Sequence, residues 1–189
     1  SRNIARHLEA GFADRPRSWR PLVYCWRGGT RSGALAHVLQ QVGWRAGRLD
    51  GGYKAYRRAV IADLDERPPQ FRWHVICGLT GSGKSRLLRA LAQRGSQMLD
   101  LEALAAHRGS VLGNLPGAPQ PSQKMFESLV WAELRKFDAT HPVWVEAESK
   151  KIGGVRVPEA LIAAMWNGEC IRLEASVALS VAMLTEEYR

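Results

Sequence analysis

Short apolar runs that are typical of strands alternate along this chain with segments in which apolar residues recur at helical spacing. Residues 22–25 form a short apolar run of β-forming side chains, typical of a buried strand, and apolar residues then recur at helical spacing over 31–42. The same succession returns later, where 72–79 predicts a strand and 84–94 predicts a helix. Because strands and helices alternate in this way, the pattern predicts an α/β fold with parallel sheets.

Two adjacent prolines, Pro68 and Pro69, divide this pattern. Proline lacks the amide donor of a helix and restricts the residue before it, so the helix predicted over 53–66 must stop there. We therefore predict a first domain over residues 1–68 and a second over 69–189. The other predicted elements are strands at 44–49, 97–101, 143–147 and 170–174, helices at 123–137 and 158–167, a helix and polar loop within 1–20, and a long loop over 109–122.

The charge and the cysteine content narrow the classes of protein and of partner. Lys and Arg total 27 against 18 acidic residues, and this net charge of +9 favours a polyanionic partner. No run of about 18 apolar residues occurs, so no membrane span is expected. The three cysteines, Cys25, Cys77 and Cys170, are far apart and form no CxxC pair. This spacing argues against a disulfide framework and a zinc ribbon, and we expect a reducing, cytoplasmic setting.

Residues 78–85, GLTGSGKS, match the phosphate-binding loop G-x-x-x-x-G-K-[ST] at every fixed position. A strand is predicted before the loop and a helix after it, as phosphate binding requires. Backbone N–H groups and the helix N-terminus would hold an anion, Lys84 would neutralise terminal phosphates, and Ser85 could hold Mg²⁺. The predicted phosphate-binding residues are Gly78, Thr80, Gly81, Ser82, Gly83, Lys84 and Ser85.

The motif alone leaves the ligand of this loop open, because such a loop serves ATP, GTP or another molecule with a pyrophosphate group. A hydrolytic enzyme would also need a carboxylate at a strand end for Mg²⁺. Asp100 follows one predicted strand, and Glu146 and Glu148 lie in or just after another. These three residues are the candidate carboxylates.

A second loop, CWRGGTRS at 25–32, also lies between a predicted strand and a predicted helix. Backbone N–H groups curled toward the sulfur, the helix dipole and two arginines would favour the thiolate of Cys25. C-x-x-x-x-x-R-[ST] is the skeleton of cysteine-dependent phosphatases, but those usually carry His where this chain has Tyr24. The loop instead resembles that of rhodaneses, and LDGGYKAYRR at 49–58 supports this interpretation. The candidate catalytic residues are Cys25, Arg27, Gly28, Gly29 and Arg31.

Both loops in one chain, in this order and this close together, are an uncommon pairing. With the segments LDLEALAAHRGSVLG, PQPSQKMFES and VWVEAESKKIG, they make the chain resemble the tRNA 2-selenouridine synthases over most of residues 22–157. The resemblance implies a partial rhodanese-like domain followed by a P-loop NTPase-like domain with a parallel sheet. It also implies further chain before Leu22 and after Arg189 in a complete family member.

The resemblance implies a transferase that acts on the wobble uridine of certain tRNAs. Such an enzyme converts 2-thiouridine to 2-selenouridine through S-geranyl-2-thiouridine, using geranyl diphosphate and selenophosphate, with no covalently bound cofactor. Cys25 aligns with the rhodanese cysteine and would carry or accept the chalcogen. From the chemistry of the phosphate loop, we hypothesise that Lys84 and the backbone cradle hold the diphosphate leaving group.

Basic and aromatic side chains beside the predicted sites are candidate tRNA contacts. The basic candidates are His107, Arg108, Lys150 and Lys151. Trp26 could stack on a base or a prenyl chain, whereas Trp44 fits core packing. Two other functions are compatible with the sequence: a P-loop kinase or ATPase with a non-catalytic rhodanese module, and a scaffold that binds tRNA or a partner protein.

Overall fold

The structure is a computed structural model and describes residues 2–26, 29–108 and 117–187. Contacts divide the chain into two units, the first ending at Ala59 and the second beginning at Val60. Both units combine helices with parallel strands, as the sequence pattern predicts. The position of the domain boundary at Pro68 and Pro69 stays a prediction.

The first unit contains a small parallel sheet. Its elements are α1 (Arg2–His7), which continues into a π-helical turn (Leu8–Phe12), β1 (Leu22–Val23), α2 (Thr30–Gln41), β2 (Gly47–Arg48) and the first part of α3 (Gly52–Glu66). β1 pairs with β2 in parallel. The connection between the two strands includes α2, as a parallel crossover requires.

The core of the first unit lies under α2. Ala36 and Leu39 face inward from α2 and are buried with Val23 and Trp44. The Trp44 ring also donates a hydrogen bond from Nε1 to the carbonyl of Pro16 at 3.1 Å. The prediction that Trp44 packs in the core is therefore confirmed.

The second unit is built on a parallel sheet. The strands of this unit are β3 (Trp73–Cys77), β4 (Gln97–Leu99), β5 (Val143–Glu146), β6 (Lys151–Ile152), β7 (Val155–Arg156) and β8 (Glu169–Arg172). The main sheet has the order β4-β5-β3-β8 with every pair parallel. Val75 and Ile76 are successive in β3 and point to opposite faces, yet both are buried. The central strand is therefore covered on both sides, which explains its continuous apolar run.

Helices connect these strands along the chain, and one further helix follows the last strand. They are α4 (Lys84–Gln93), α5 (Leu101–Ala105), α6 (Gln123–Leu134), α7 (Glu159–Trp166) and α8 (Val177–Glu187). In α6, Phe126, Val130 and Leu134 recur every four residues and are fully buried, while Ser122 caps its first turn by accepting from the Met125 amide at 3.4 Å. None of the described helices is both long and apolar enough to cross a membrane.

A hydrogen bond links α6 to the second part of α3. The Trp131 ring donates from Nε1 to the Asp63 carboxylate at 2.8 Å, and Arg67 lies 3.3 Å from the same oxygen. These contacts lower the pKa of Asp63, the hydrogen bond from Trp131 most strongly and then the bond and charge of Arg67. The ionised form of Asp63 is thus preferred in the folded protein.

The strands β6 and β7 form an antiparallel hairpin that two glutamine side chains attach to the unit. Gln120 donates from Nε2 to the carbonyl of Ile152 at 3.2 Å and accepts from the Gly154 amide at 2.6 Å. Gln123 donates to the carbonyl of Arg156 at 2.9 Å and accepts from its amide at 2.8 Å. Each glutamine therefore satisfies backbone groups that a neighbouring strand would otherwise have to pair.

The sequence prediction missed α5, α8 and the hairpin. Residues 151–154 contain β6 and the turn that leads into β7. Each hairpin strand has two residues, too few to show an alternating pattern. Apolar Val177 and Val181 of α8 remain 81% and 57% exposed, so this helix has no clean apolar stripe to reveal it.

The cysteine spacing argued against a disulfide framework, but the structure contains one disulfide. Cys77 and Cys170 are joined by a disulfide although 93 residues separate them. β3 and β8 are adjacent and parallel, and their register places Cys170 opposite Val75, two residues from Cys77. The two Cα atoms are consequently 6.3 Å apart, a separation that sequence spacing could not reveal.

Candidate functional site

The phosphate loop has the strand–loop–helix context that the motif predicts. β3 ends at Cys77 and α4 begins at Lys84, so the first amides of α4 point into the loop. Ser82 lies in this loop, and its hydroxyl is buried without a hydrogen-bond partner among the described residues. That hydroxyl and the α4 amides are donors of the kind that phosphate oxygens accept.

Two glycines of the loop lie against α8. A Cβ on Gly81 would stand 2.9 Å from Leu184 Cγ, and one on Gly83 would stand 3.1 Å from Met183 Sδ. Gly83 also has a φ of +87°, a conformation that side chains rarely adopt. Gly81 has a φ of +78°, so the backbone conformation disfavours a side chain at both positions, and the contacts with Leu184 and Met183 add to this preference.

A lysine, a serine and a glutamate meet at the end of the loop. Lys84 donates from Nζ to the carbonyls of Gly78 and Leu79 at 3.1 and 3.2 Å. Glu146 ends β5, the strand next to β3, and its carboxylate accepts a hydrogen bond from the Ser85 hydroxyl. A cation, a hydroxyl and a buried carboxylate therefore converge beside the phosphate loop.

Glu146 and Glu148 bind protons more tightly than ordinary glutamates. Burial raises the pKa of Glu146, and the Ser85 hydrogen bond and the Lys84 charge oppose this only in part. Burial and the charge of Glu146 raise the pKa of Glu148 to about 7. The negative charge of Asp100 also raises the pKa of both glutamates. The same carboxylate caps α5 by accepting a hydrogen bond from the Ala103 amide at 2.8 Å. Glu148 therefore changes charge near neutral pH.

These residues fit a magnesium ion that is held mainly by the phosphate groups of a bound substrate. The described residues contain no group of three His, Cys, Asp or Glu placed to bind a metal by themselves. Ser85 and Glu146 are in contact and offer oxygen atoms, the ligands that Mg²⁺ prefers. Mg²⁺ normally takes its remaining ligands from water and from phosphate groups, so two protein oxygens suffice.

In the first unit, the Cys25 sulfur is surrounded by hydrogen-bond donors. Ser32 donates from Oγ to Sγ at 3.3 Å. This bond, the backbone amides of Ser32 and Gly29, and the charge of Arg31 lower the pKa of Cys25 to about 7, against a smaller opposing effect of burial. About half of the thiol is therefore ionised at neutral pH.

Aromatic rings stand beside this thiol. Trp26 follows Cys25 directly, is 52% exposed, and stacks on Tyr53 with ring centroids 4.5 Å apart and an interplanar angle of 15°. The Tyr53 amide donates to the Cys25 carbonyl at 3.1 Å, which joins the turn before α3 to the cysteine loop. An exposed aromatic surface thus adjoins Cys25.

The amino-acid sequence of the second unit matches a known family. A family model described as the tRNA 2-selenouridine synthase AAA domain matches residues 71–189, which include the phosphate loop and all three candidate carboxylates. The chain belongs to the tRNA 2-selenouridine synthase family. The resemblance inferred from the motifs is confirmed.

Curated tRNA 2-selenouridine synthases are similar to this chain over most of its length. The protein from Aeromonas salmonicida is 35% identical over 97% of the chain, and that from Nitrosomonas europaea is 37% identical over 89%. The protein from Hydrogenovibrio crunogenus is 40% identical over 88% of the chain. These matches cover 49%, 44% and 47% of the relatives. The chain thus spans about half the length of the tRNA 2-selenouridine synthases it matches.

Among the predicted contacts for tRNA, the structure separates buried from exposed residues. His107 is 7% exposed and packs beside Gly153 of the hairpin, and Arg108 is half-buried. Lys150 and Lys151 are exposed. Of the cysteine-loop candidates, Arg27 and Gly28 lie outside the described residues. The two lysines are therefore the accessible members of the predicted set.

Sequence reasoning assigned no role to Ser32, although it has the strongest effect on the Cys25 pKa. The signal was present, since Ser32 occupies the last position of the C-x-x-x-x-x-R-[ST] pattern. Its contact with the sulfur arises because α2 begins at Thr30 and turns residue 32 back toward Cys25. That turn becomes visible only in the folded loop.

Proposed function

We propose that this chain carries the reacting groups of a tRNA 2-selenouridine synthase, which converts wobble 2-thiouridine to 2-selenouridine through S-geranyl-2-thiouridine. The observation that carries the proposal is the match of residues 71–189 to the AAA domain of this family. The curated relatives are named for the same product. A tRNA substrate is also consistent with the net charge of +9.

In the first proposed step, the sulfur of 2-thiouridine attacks C1 of geranyl diphosphate. A C–S bond forms, the C–O bond breaks, and diphosphate leaves with the electron pair. Lys84, the Ser82 hydroxyl and the first amides of α4 would stabilise the charge that develops on this leaving group. A Mg²⁺ ion on Ser85 and Glu146 would neutralise part of the same charge when bound.

In the second proposed step, selenium from selenophosphate replaces sulfur at C2 of the uracil ring. The C2–Se bond forms, and the C2–S bond breaks as geranyl thiol leaves with the sulfur. Water then cleaves the P–Se bond and releases phosphate, which leaves selenium on C2. Cys25 is the candidate nucleophile of this step, because its lowered pKa keeps much of it as thiolate at neutral pH. Its sulfur could displace geranyl thiol from C2 and be displaced in turn by the selenium of selenophosphate, with no change of oxidation state. The Trp26–Tyr53 pair could hold the uracil ring or the geranyl chain beside it.

The test is nucleoside mass spectrometry on 2-thiouridine tRNA incubated with the full-length protein. One reaction contains geranyl diphosphate and a second adds selenophosphate. We expect Lys84→Ala to lower geranylation by on the order of 10²–10³-fold, the usual cost of one charge-stabilising donor. Lys136→Ala is the matched control, since Lys136 is an exposed lysine paired with Glu133 at 2.7 Å.

The Cys25→Ala protein separates the two steps. We expect it to form the geranylated nucleoside at the normal rate and to lose selenation. Geranyl diphosphate that bound the Lys84→Ala protein as tightly as the unmutated one would contradict the assignment of the diphosphate to the phosphate loop. Normal selenation by Cys25→Ala would remove Cys25 from the mechanism.

One observation favours a second function, a P-loop ATPase. A carboxylate at the end of the neighbouring strand, bonded to the loop serine, is also how such enzymes hold Mg²⁺ with a nucleotide, and Glu146 and Ser85 have this arrangement. ATP consumption that needs Glu146, in reactions that form neither modified nucleoside, would support this alternative.

A further inference from the structure

The β6–β7 hairpin presents its charged side chains on one face. Lys151 is directly opposite Arg156 in the antiparallel register, and Ile152 is opposite Val155. Side chains of directly opposed residues share a face, and successive pairs alternate between faces. Ile152 and Val155 are buried at 1% and 2% exposure, whereas Lys151 and Arg156 are exposed. The outer face of the hairpin is therefore cationic.

These cations are not neutralised within the described part of the chain. Lys150, Lys151 and Arg156 form no ion pair with any described residue. Gln120 and Gln123 hold the backbone of the hairpin in place, so the three side chains project from a fixed support. A fixed array of unpaired cations is suited to a polyanion.

An exposed aromatic ring completes this surface. Trp166 is the last residue of α7 and remains 67% exposed. Lys150 places its Nζ 5.1 Å from the centroid of the Trp166 ring. An exposed ring offers a face on which a base can stack, and a cation beside the ring would meet the phosphate attached to that base.

We propose that Lys150, Lys151, Arg156 and Trp166, here called the hairpin platform, bind unpaired nucleotides of an RNA loop. The lysines and the arginine contact backbone phosphates, and Trp166 stacks on one base. Recognition of unpaired bases by aromatic rings and cations is the common mode for single-stranded RNA, whereas the bases of a duplex are stacked on each other. This inference rests on the proposed function, in which the substrate is a tRNA.

The platform lies close in sequence to the phosphate-loop site. Glu148 precedes Lys150 by two residues, so their Cα atoms are within about 7 Å of each other. A nucleotide held on the platform is therefore near the carboxylates and the cation that flank the phosphate loop. The platform would bring the target loop to the site of reaction as well as adding affinity.

The experiment measures binding of two labelled RNAs to the full-length protein by fluorescence anisotropy over a range of salt concentrations. The probes are an anticodon stem-loop with unpaired loop nucleotides and a blunt duplex of equal charge. The variants are Lys151→Ala/Arg156→Ala, Trp166→Ala and Trp166→Phe. Lys136→Ala again serves as the matched control. Geranyl diphosphate binding, which needs no RNA, is measured on every variant.

Loss of two phosphate contacts should flatten the salt dependence in a predictable way. Each contact to a single strand contributes about 0.7 to the slope of log K against log salt, so the double variant should lose about 1.4. The ratio of the unmutated protein's affinity for the stem-loop to that of the double variant should therefore grow about 25-fold when the salt falls from 1 M to 0.1 M. Trp166→Ala should cost about tenfold with the slope unchanged, and Trp166→Phe should recover most of this.

Three outcomes would overturn the inference: the double variant keeps the affinity and slope of Lys136→Ala, Trp166→Ala binds the stem-loop normally, or the duplex competes as well as the stem-loop. Displacement of the RNA by an acidic polypeptide, combined with no effect of Trp166→Ala, would instead identify a docking site for an acidic protein.

The failure of this inference and the failure of the proposed function give different results. If the platform is wrong but the proposed function holds, the variants modify tRNA normally and bind geranyl diphosphate normally. If the proposed function is wrong but the platform holds, no modified nucleoside forms, yet stem-loop binding still depends on Lys151, Arg156 and Trp166.

Discussion

Replacement of Ser32 by alanine should make Cys25 a weaker acid. The Ser32 hydroxyl is 3.3 Å from the Cys25 sulfur, and its hydrogen bond is the largest cause of the lowered pKa. Ser32→Ala removes this bond and leaves the amides of Gly29 and residue 32 and the charge of Arg31. We expect the pKa of Cys25 to rise by about one unit from its value of about 7 toward the ordinary 9.0.

The effect on reactivity is the balance of two opposing changes. If the pKa of Cys25 returned fully to 9.0, its thiolate at pH 7 would fall from half to about 1%, a loss of about fiftyfold. A more basic thiolate is also a better nucleophile, and two pKa units would return a factor of about six to ten. The net loss would then be about five- to eightfold. For the expected rise of about one pKa unit, the thiolate fraction falls about fivefold and nucleophilicity rises about threefold, so Ser32→Ala should lose about twofold at pH 7.

The assay is the reaction of the protein with an aromatic disulfide reagent that releases a coloured thiolate, followed from pH 6 to pH 10. Among the described residues, Cys25 is the cysteine outside the disulfide and Cys77 and Cys170 are joined, so Cys25→Ala gives the background rate. Thr30→Ala is the matched control, since Thr30 is an exposed hydroxyl residue of the same turn.

Ser32→Ala should react more slowly than the unmutated protein at pH 7 and faster above about pH 9, where both thiols are ionised. The crossing of the two pH profiles is the distinctive result, because a variant that merely loosened the loop would shift the rate in one direction at every pH. Profiles with the same midpoint would refute the assignment of the lowered pKa to Ser32.

Three further predictions concern the second unit. Trp131→Phe should lower the free energy of unfolding in urea by about 1 kcal/mol at pH 7. Because folding lowers the pKa of Asp63, this difference should be present above the unfolded pKa of about 3.9 and shrink as the pH falls below it. Gly153→Ala should lower the melting temperature more than Gly154→Ala, because Gly153 has a φ of +55° and its Cβ would stand 2.7 Å from His107 Cδ2; equal melting temperatures would contradict the packing described. Binding of geranyl diphosphate, measured by calorimetry, should tighten as the pH falls through about 7 and Glu148 becomes neutral. The Glu148→Gln protein should bind it tightly both above and below this pH.

The phosphate loop could be predicted from sequence because its chemistry depends on local residues. Each fixed position of 78–85 lies within one strand–loop–helix segment, and the flanking apolar runs identify β3 and α4. The parallel order of strands follows from the same alternation. Local patterns were therefore sufficient wherever the function depends on consecutive residues.

Features that depend on distant contacts could not be predicted in this way. The raised pKa of Glu148 needs its burial and the nearby charge of Glu146. The hairpin needs Gln120 and Gln123, whose partners lie more than 30 residues further along the chain. No periodicity encodes such pairings, because an amide that caps a hairpin looks like any other polar residue.

The Cys77–Cys170 disulfide has a topological consequence for the second unit. It closes a covalent ring of chain that spans 93 residues and contains the phosphate loop, the hairpin and α4 to α7. A protease that cuts once within this ring leaves both pieces covalently attached, so the product keeps its full mass in a denaturing gel without reductant. With reductant, the same sample separates into two fragments, and a cut outside the ring releases a fragment under either condition.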